Sequence, residues 1–301
     1  TATLKQHVTI GSRGSDLALW QAYFVKSELE KLDCTVEIKI IKTQGDKIQH
    51  LSFDKLEGKG FFTKEIEDSL ISSEIDLAVH SHKDLETNPP EGLKIACVSK
   101  RANPADILLI RPEAIQGSEK WTLKKNAIVG TSSARRKTLL THYRADLAIN
   151  DLRGNVPTRI DKLRQGNYDA IVLAKAGVDR LELDLSEFVT IVLDPTEFVP
   201  APAQGVLGLQ IRSEDQRMEN ILDKMNYPEV AQKIGLERKI LNLLEGGCQL
   251  PLGAYCTPEN ELFVSFAPKT GEQSTFLKYK VESFEGMAEK VIEDLQSVRV
   301  D

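Results

Sequence analysis

One feature constrains the fold more than any other. Short runs of β-branched and aliphatic residues alternate with stretches of helical spacing along most of the chain. IDLAVHS (75–81) is a near-continuous apolar run, the pattern of a parallel strand buried on both faces. HVTIGS (7–12), TVEIKIIK (35–42), LKIACVS (93–99), AIVG (127–130), DLAIN (146–150), YDAIVLA (168–174) and VLGLQIR (206–212) read as further strands. Helices are expected over about 16–32, about 133–143, from Pro157, and after 174. The first would be capped by Ser15 or Asp16 and would turn Leu17, Trp20, Phe24 and Leu32 toward a core. LEGKGFFTKE (56–65) reads as a mobile loop leading into a helix. A long amphipathic helix over 229–245 is stopped by Gly246-Gly247. After it, LFVSFAP (262–268) and STFLKYKV (274–281) alternate polar and apolar residues, and a helix ends the chain. The expectation is two α/β units, joined by a Pro-rich crossing linker VPAPAQG (199–205), plus a small α+β unit, with no internal repeat. In such sheets ligands bind at the C-terminal ends of the parallel strands.

Composition narrows the function classes. The chain has 301 residues, 28% of them charged, and a net charge of −6, which argues against a general nucleic-acid binder. Exposed aromatic platforms for single strands are also scarce. No stretch is long and apolar enough to cross a membrane. TATLKQHVTIGS lacks the apolar core of a secretory signal. Four cysteines show no zinc-site spacing and are too few for a disulfide scaffold, so no metal and a reducing, cytoplasmic setting are expected.

Three motifs carry chemistry. GTSSARRK (130–137) puts Arg135 and Arg136 in the first turn of a helix, and LRGNVPTR (152–159) puts Arg153 before a helix start and Arg159 just inside it. Cations are unfavourable at a helix N-terminus unless an anion compensates them. Two such sites in one unit point to a multiply charged anionic ligand, gripped by the two-pronged geometry of guanidinium. Arg13 and Arg180 fall in turns at element ends. Any single arginine can equally be solvated surface charge. VHSHKDL (79–85) ends a buried strand at Ser81, His82, Lys83 and Asp84. Asp84 there is either a catalytic carboxylate or a turn residue paired with Lys83. LEGGCQLPLGA (244–254) turns through two glycines into Cys248, which reads as an exposed nucleophilic thiol or as a small buried hydrophobe.

These motifs, with GSRGSDLALWQA (11–22), TQGD (43–46), EGKGFFTKE (57–65), AGVDRL (176–181), PAPAQG (200–205) and EGGCQ (245–249), resemble the porphobilinogen deaminase family in order and spacing over about the first 255 residues. The resemblance implies three domains: 1–99 with 202–222, 104–198, and 223–301. The first two would be similar to type II periplasmic binding proteins and the third a small α+β domain. It implies a monomeric transferase that condenses four porphobilinogen molecules head to tail, with release of ammonia, to hydroxymethylbilane in haem biosynthesis. It implies a dipyrromethane cofactor held by a thioether to Cys248, with Asp84 as the catalytic carboxylate. Ser81, Lys83, Arg135, Arg136, Ser133 and Asp46 match cofactor-contacting positions. Arg13, Arg153, Arg159 and Arg180 match positions that bind the acetate and propionate groups of the substrate. Lys55, Lys59 and Phe62 fall in the family's active-site loop.

The sequence departs from the commoner family pattern at His82, where methionine is frequent, at Leu85-Glu86 in place of Val-Pro, and in PAPAQG in place of PAVGQG. His82 either points with Asp84 and titrates, or packs neutral behind the strand, the reading favoured here. The competing function is a non-enzymatic anion-binding protein of the same architecture, which would need neither Cys248 nor Asp84.

Overall fold

The computed structural model describes residues 5–47, 62–244 and 250–300. Its first sheet contains β1 (Gln6–Ser12), β2 (Cys34–Ile40), β3 (Leu77–Ser81), β4 (Leu93–Val98) and, from much later in the chain, β10 (Leu207–Arg212), in the order β2-β1-β3-β10-β4. β1 runs parallel to β2 and β3, while β10 runs antiparallel to both β3 and β4. The second sheet contains β5 (Asp106–Ile110), β6 (Ile128–Gly130), β7 (Ala148–Asn150), β8 (Ala170–Ala174) and β9 (Val189–Val192), in the order β7-β6-β8-β5-β9. Here β5 is the antiparallel strand, against β8 and β9. The two sheets therefore share one plan that no sequence repeat announces. In each, the antiparallel strand is the first one after the chain has crossed from the other unit. This is the expected α/β architecture of two units, completed by a small third unit.

The third unit is an antiparallel sheet of β11 (Leu252–Cys256), β12 (Glu261–Phe266) and β13 (Thr275–Lys280). The helices α8 (Pro228–Leu243) and α9 (Met287–Val300) cover it and bury Leu236, Ile240, Val291 and Leu295 against Leu252, Leu262 and Val264. The remaining helices are α1 (Asp16–Glu30), α2 (Gln44–Lys47), α3 (Lys64–Ile71), α4 (Ala134–Tyr143), α5 (Val156–Arg164), α6 (Lys175–Leu181) and α7 (Gln216–Leu222).

Helix α1 starts where the sequence places it, with the Ser15 hydroxyl accepting the Ala18 N–H at 3.3 Å. Its core face differs from expectation. Ala22, Val25 and Leu29 pack on the first sheet, whereas Leu17 lines a cleft between the units. Trp20 stacks on Phe24 at 5.5 Å, and Phe24 is 41% exposed; Leu32 is only partly buried. Both apolar stripes have spacing i, i+3, i+7, so periodicity alone cannot rank them.

The two crossings run side by side at the junction. Ala102 N–H donates to Gly205 O at 2.9 Å, and Gly205 has φ +91 with room for no side chain, since a Cβ would meet Ala102 O at 2.8 Å. Glu237 of α8, fully buried, fastens the third unit to this junction. It accepts Arg101 Nη1 and Nη2 at 2.7 and 3.0 Å, Ala203 N–H at 2.8 Å and Cys256 N–H at 2.8 Å. Every lone pair of that carboxylate is used, which is how a buried charge is tolerated.

Candidate active site

The site is assembled on Asp106. It opens β5 as the one charge in DILLI, and it is completely buried. Opposite it, Ser133 caps α4, its hydroxyl accepting Arg136 N–H at 3.2 Å. That start sets Arg135 and Arg136 in the first turn and aims both at Asp106. Arg135 Nη1 donates to Oδ2 at 2.8 Å; Arg136 Nε and Nη2 donate to Oδ1 at 3.1 and 2.9 Å. Gln204 Nε2 adds a bond to Oδ1 at 3.0 Å. Burial alone would raise the Asp106 carboxyl, but the two guanidiniums outweigh it and hold it well below the usual carboxylate range. The anion that sequence reasoning sought at this helix start is thus supplied first by the protein itself.

β3 delivers the second group. Ser81 is its last residue, and a single 3₁₀ turn over His82–Asp84 follows, so side-chain alternation stops there. Ser81 Oγ donates to Gln21 Oε1 at 3.1 Å. Lys83 Nζ donates to Gln204 Oε1 at 3.4 Å and feels the charges of both Asp84 and Asp106. Burial, and then the positive charge of Arg136, push Lys83 down to about 8. Asp84 lies exposed on the cleft wall and makes no hydrogen bond or ion pair among the described residues. The His82 ring packs against Gly208, and burial with the charge of Arg238 holds it neutral, with a pKa of about 3.

The rim carries the other cations. Arg13 follows β1 and donates from Nε to Asp46 Oδ1 at 3.1 Å, with its guanidinium 4.4 Å from the Phe62 ring centre. Asp46 also accepts Thr43 Oγ1 at 2.8 Å. Its burial favours a raised pKa, but the bonds and charge of Arg13 and the bonds from Thr43 leave it lowered. Arg159 Nε donates to Gly154 O at 2.7 Å. Arg180 of α6 reaches from the second unit to Gln21 Oε1 at 3.0 Å on α1 and to Gly205 O at 3.1 Å.

Arg13, Asp46, Ser81, Lys83, Asp84, Ser133, Arg135, Arg136, Arg153, Arg159 and Arg180 line one cleft of about 650 Å³ at the C-terminal ends of β3, β6 and β8, while Asp106 and His82 lie behind its wall. Lysines and arginines far outnumber the two aspartates in its lining, Asp46 and Asp84, in a chain that is acidic overall. Lys55, Lys59 and Cys248 lie outside the described residues. Sequence reasoning missed Asp106, Gln204, Gln21, Arg238 and Lys162. A lone Asp opening an aliphatic strand was the available signal for the first; the others sit in ordinary helix or linker positions. The cleft has the charge and size for a flat organic anion bearing several carboxylates, and the polar floor around Arg135, Arg136 and Lys83 fits the acetate and propionate groups of a dipyrromethane.

Comparison with known proteins agrees. A family model described as porphobilinogen deaminase, dipyromethane cofactor binding domain, matches residues 8–220. The chain is 43% identical over 265 residues to porphobilinogen deaminase of Chloroherpeton thalassium, covering 86% of this chain and 82% of that protein. It is 41% identical over 276 residues to that of Nitratiruptor sp., covering 91% and 87%. Among solved structures, the probable amino-acid ABC transporter extracellular-binding protein ytmK of Bacillus subtilis gives a TM-score of 0.44 at 14% identity, over 74% of this chain and 90% of that one.

Proposed function

The chain belongs to the porphobilinogen deaminase family, and on that premise we propose how its residues divide the work. The enzyme is a transferase that joins four porphobilinogen molecules head to tail, releasing ammonia, to form hydroxymethylbilane for tetrapyrrole biosynthesis. Its cofactor is a dipyrromethane, which when bound supplies the primer to which substrate pyrroles are added. Cys248 is our assignment for the thioether. The described cysteines are poor alternatives: Cys34, Cys97 and Cys256 are buried, and burial pushes Cys97 up to about 12 and Cys256 to about 11. Their thiols stay protonated near neutral pH and are weak nucleophiles.

Arg135, Arg136 and Lys83, with Ser81 and Ser133, hold the cofactor's carboxylates. Asp46 serves through Arg13, which it orients. Arg13, Arg153, Arg159 and Arg180 receive the acetate and propionate groups of incoming substrate, and Lys55, Lys59 and Phe62 belong to the active-site loop. Asp84 accepts the pyrrole N–H and stabilises the positive charge that develops on substrate as ammonia leaves. The three units, divided as 1–99 with 202–222, 104–198 and 223–301, adjust around the lengthening product. The protein works as a monomer in the cytoplasm.

The observation that carries this reading is the exposed Asp84 carboxylate set in a cleft whose cations far outnumber its carboxylates. The test is substitution. Asp84→Asn should retain the cofactor yet lose turnover by about 10²-fold or more, while Asp84→Glu keeps part of it. Equal turnover of Asn and Asp would remove the carboxylate from the mechanism.

A further inference from the structure

Helix α8 belongs to the third unit and ends at Leu243, a few residues before Cys248. It packs on β4 of the first unit, Ile234 against Val98, and its later turns reach a second place there, the segment that follows Asp84. Arg238 Nη2 donates to Leu85 O at 2.8 Å and to Glu86 O at 2.9 Å. One helical turn on, Asn242 Nδ2 donates to Thr87 O at 3.0 Å and to Asn88 Oδ1 at 3.2 Å. Residues i and i+4 share a helix face, so the two side chains form one clamp. The clamped segment, 85–88, belongs to neither strand nor helix, and no sheet ladder sets its position. Its other anchors include the Leu85 N–H, which donates to His82 O at 3.1 Å, the buried Leu85 side chain and the Glu86 carboxylate, which accepts Thr63 Oγ1 at 3.3 Å.

We propose that Arg238 and Asn242 are positioning residues for the condensation. They fix segment 85–88 on α8 and so set where the adjoining turn presents Asp84. The inference rests on the reading of Asp84 as the working carboxylate. Carbonyl acceptors make the clamp independent of the side chains at Leu85 and Thr87, so its specificity lies in the donors. Arg238 also lines the cleft, whereas Asn242 does not, which makes Asn242 the cleaner probe.

The experiment compares Asn242→Ala, Arg238→Met, Arg238→Lys, Asp84→Asn and the double variant Asp84→Asn/Asn242→Ala in the cofactor-loaded enzyme. Intact mass reports the cofactor, and kcat and KM for porphobilinogen are measured separately. Asn242→Ala should keep the cofactor mass, hold KM within about twofold and lower kcat by about tenfold, the scale set by a small misplacement of a reacting group. Arg238→Met should lower kcat further, and Arg238→Lys should recover part of the loss. On the Asp84→Asn background, Asn242→Ala should cost nothing more, because groups acting through one another are not additive. Wild-type kcat in Asn242→Ala and Arg238→Met beside an inactive Asp84→Asn would overturn the inference alone, as would a full multiplicative loss in the double variant. Normal turnover of Asp84→Asn would overturn the reading of Asp84 and this inference with it.

Discussion

Asp106 touches the cleft only through its neighbours, yet it decides what the cleft can bind. By holding two guanidiniums in fixed orientation it prepares a surface for carboxylates without leaving the arginines bare. Asp106→Asn keeps the shape and removes the charge, so both buried arginines lose their counter-ion. The expected cost is about 3–5 kcal/mol in chemical denaturation. The pH dependence has a definite sign. A carboxyl held below its ordinary range stabilises the fold above that range and ceases to do so as pH falls through its folded pKa, so this contribution fades in strong acid in the wild type and is absent from Asp106→Asn. Lys83 behaves oppositely. With its pKa pushed down to about 8, it is charged below that pH and neutral above it. The rate at which the apo-protein assembles its cofactor should therefore fall as pH rises through about 8, and Lys83→Arg, which stays charged, should abolish that limb. In the same window, up to the ordinary 10.5, the unfolded chain binds more protons at this position, so its contribution to stability rises while assembly falls. A flat assembly profile in the wild type would remove Lys83 from the anion site. The arginines were legible in the sequence because a cation at a helix start is a local anomaly. Asp106 was not, because its meaning depends on a helix that begins 28 residues later in the chain.

At the scale of elements, strongly patterned segments were legible, down to the three-residue strands β6 and β7, and segments masked by a neighbouring proline, glycine or crossing were not. β3, β8 and α8 appear where the spacing puts them, α8 ending at Leu243 against an expected 245. β5, β9, β11 and α7 were passed over. β9 is four residues long, β11 contains Gly253, and β5 follows directly on the crossing, where Pro104 masks the onset of a strand. Gly253 is required by packing, since a Cβ there would meet Val199 O at 2.6 Å. Helix α1 shows the other limit: two equivalent apolar stripes, one for the sheet and one for the junction between units. The junction makes its own prediction. Gly205→Ala forces a side chain onto a left-handed backbone at φ +91 and against Ala102 O. It should destabilise the protein by more than about 1 kcal/mol in thermal unfolding and slow turnover by disturbing the crossing beside Gln204. Unchanged unfolding would mean that the two crossings are free to separate.

At the scale of the whole molecule, an acidic chain surrounds a basic cleft, and the cleft belongs to no single unit. Arg180 joins the second unit to Gln21 in the first, Arg101 and Glu237 join the crossings to the third, and Arg238 joins the third to the Asp84 turn. These ties are polar and stand beside one small apolar cluster of Val98, Ala203, Val206 and Ile234, while each unit keeps its own core. One carboxylate can then serve every addition as the product moves past it. This plan was legible in the sequence only through motif order, because the two sheets share strand order without sharing sequence. The proposed reaction is growth of a pyrrole chain anchored at Cys248 and worked by Asp84. The most direct measurement is the intact mass of the protein before and after limiting porphobilinogen. The starting mass should exceed that of the sequence by one dipyrromethane, absent in Cys248→Ser, and addition of substrate should give a ladder of one-pyrrole increments that Asp84→Asn does not climb. An active wild-type protein with the bare mass of its sequence throughout would contradict it.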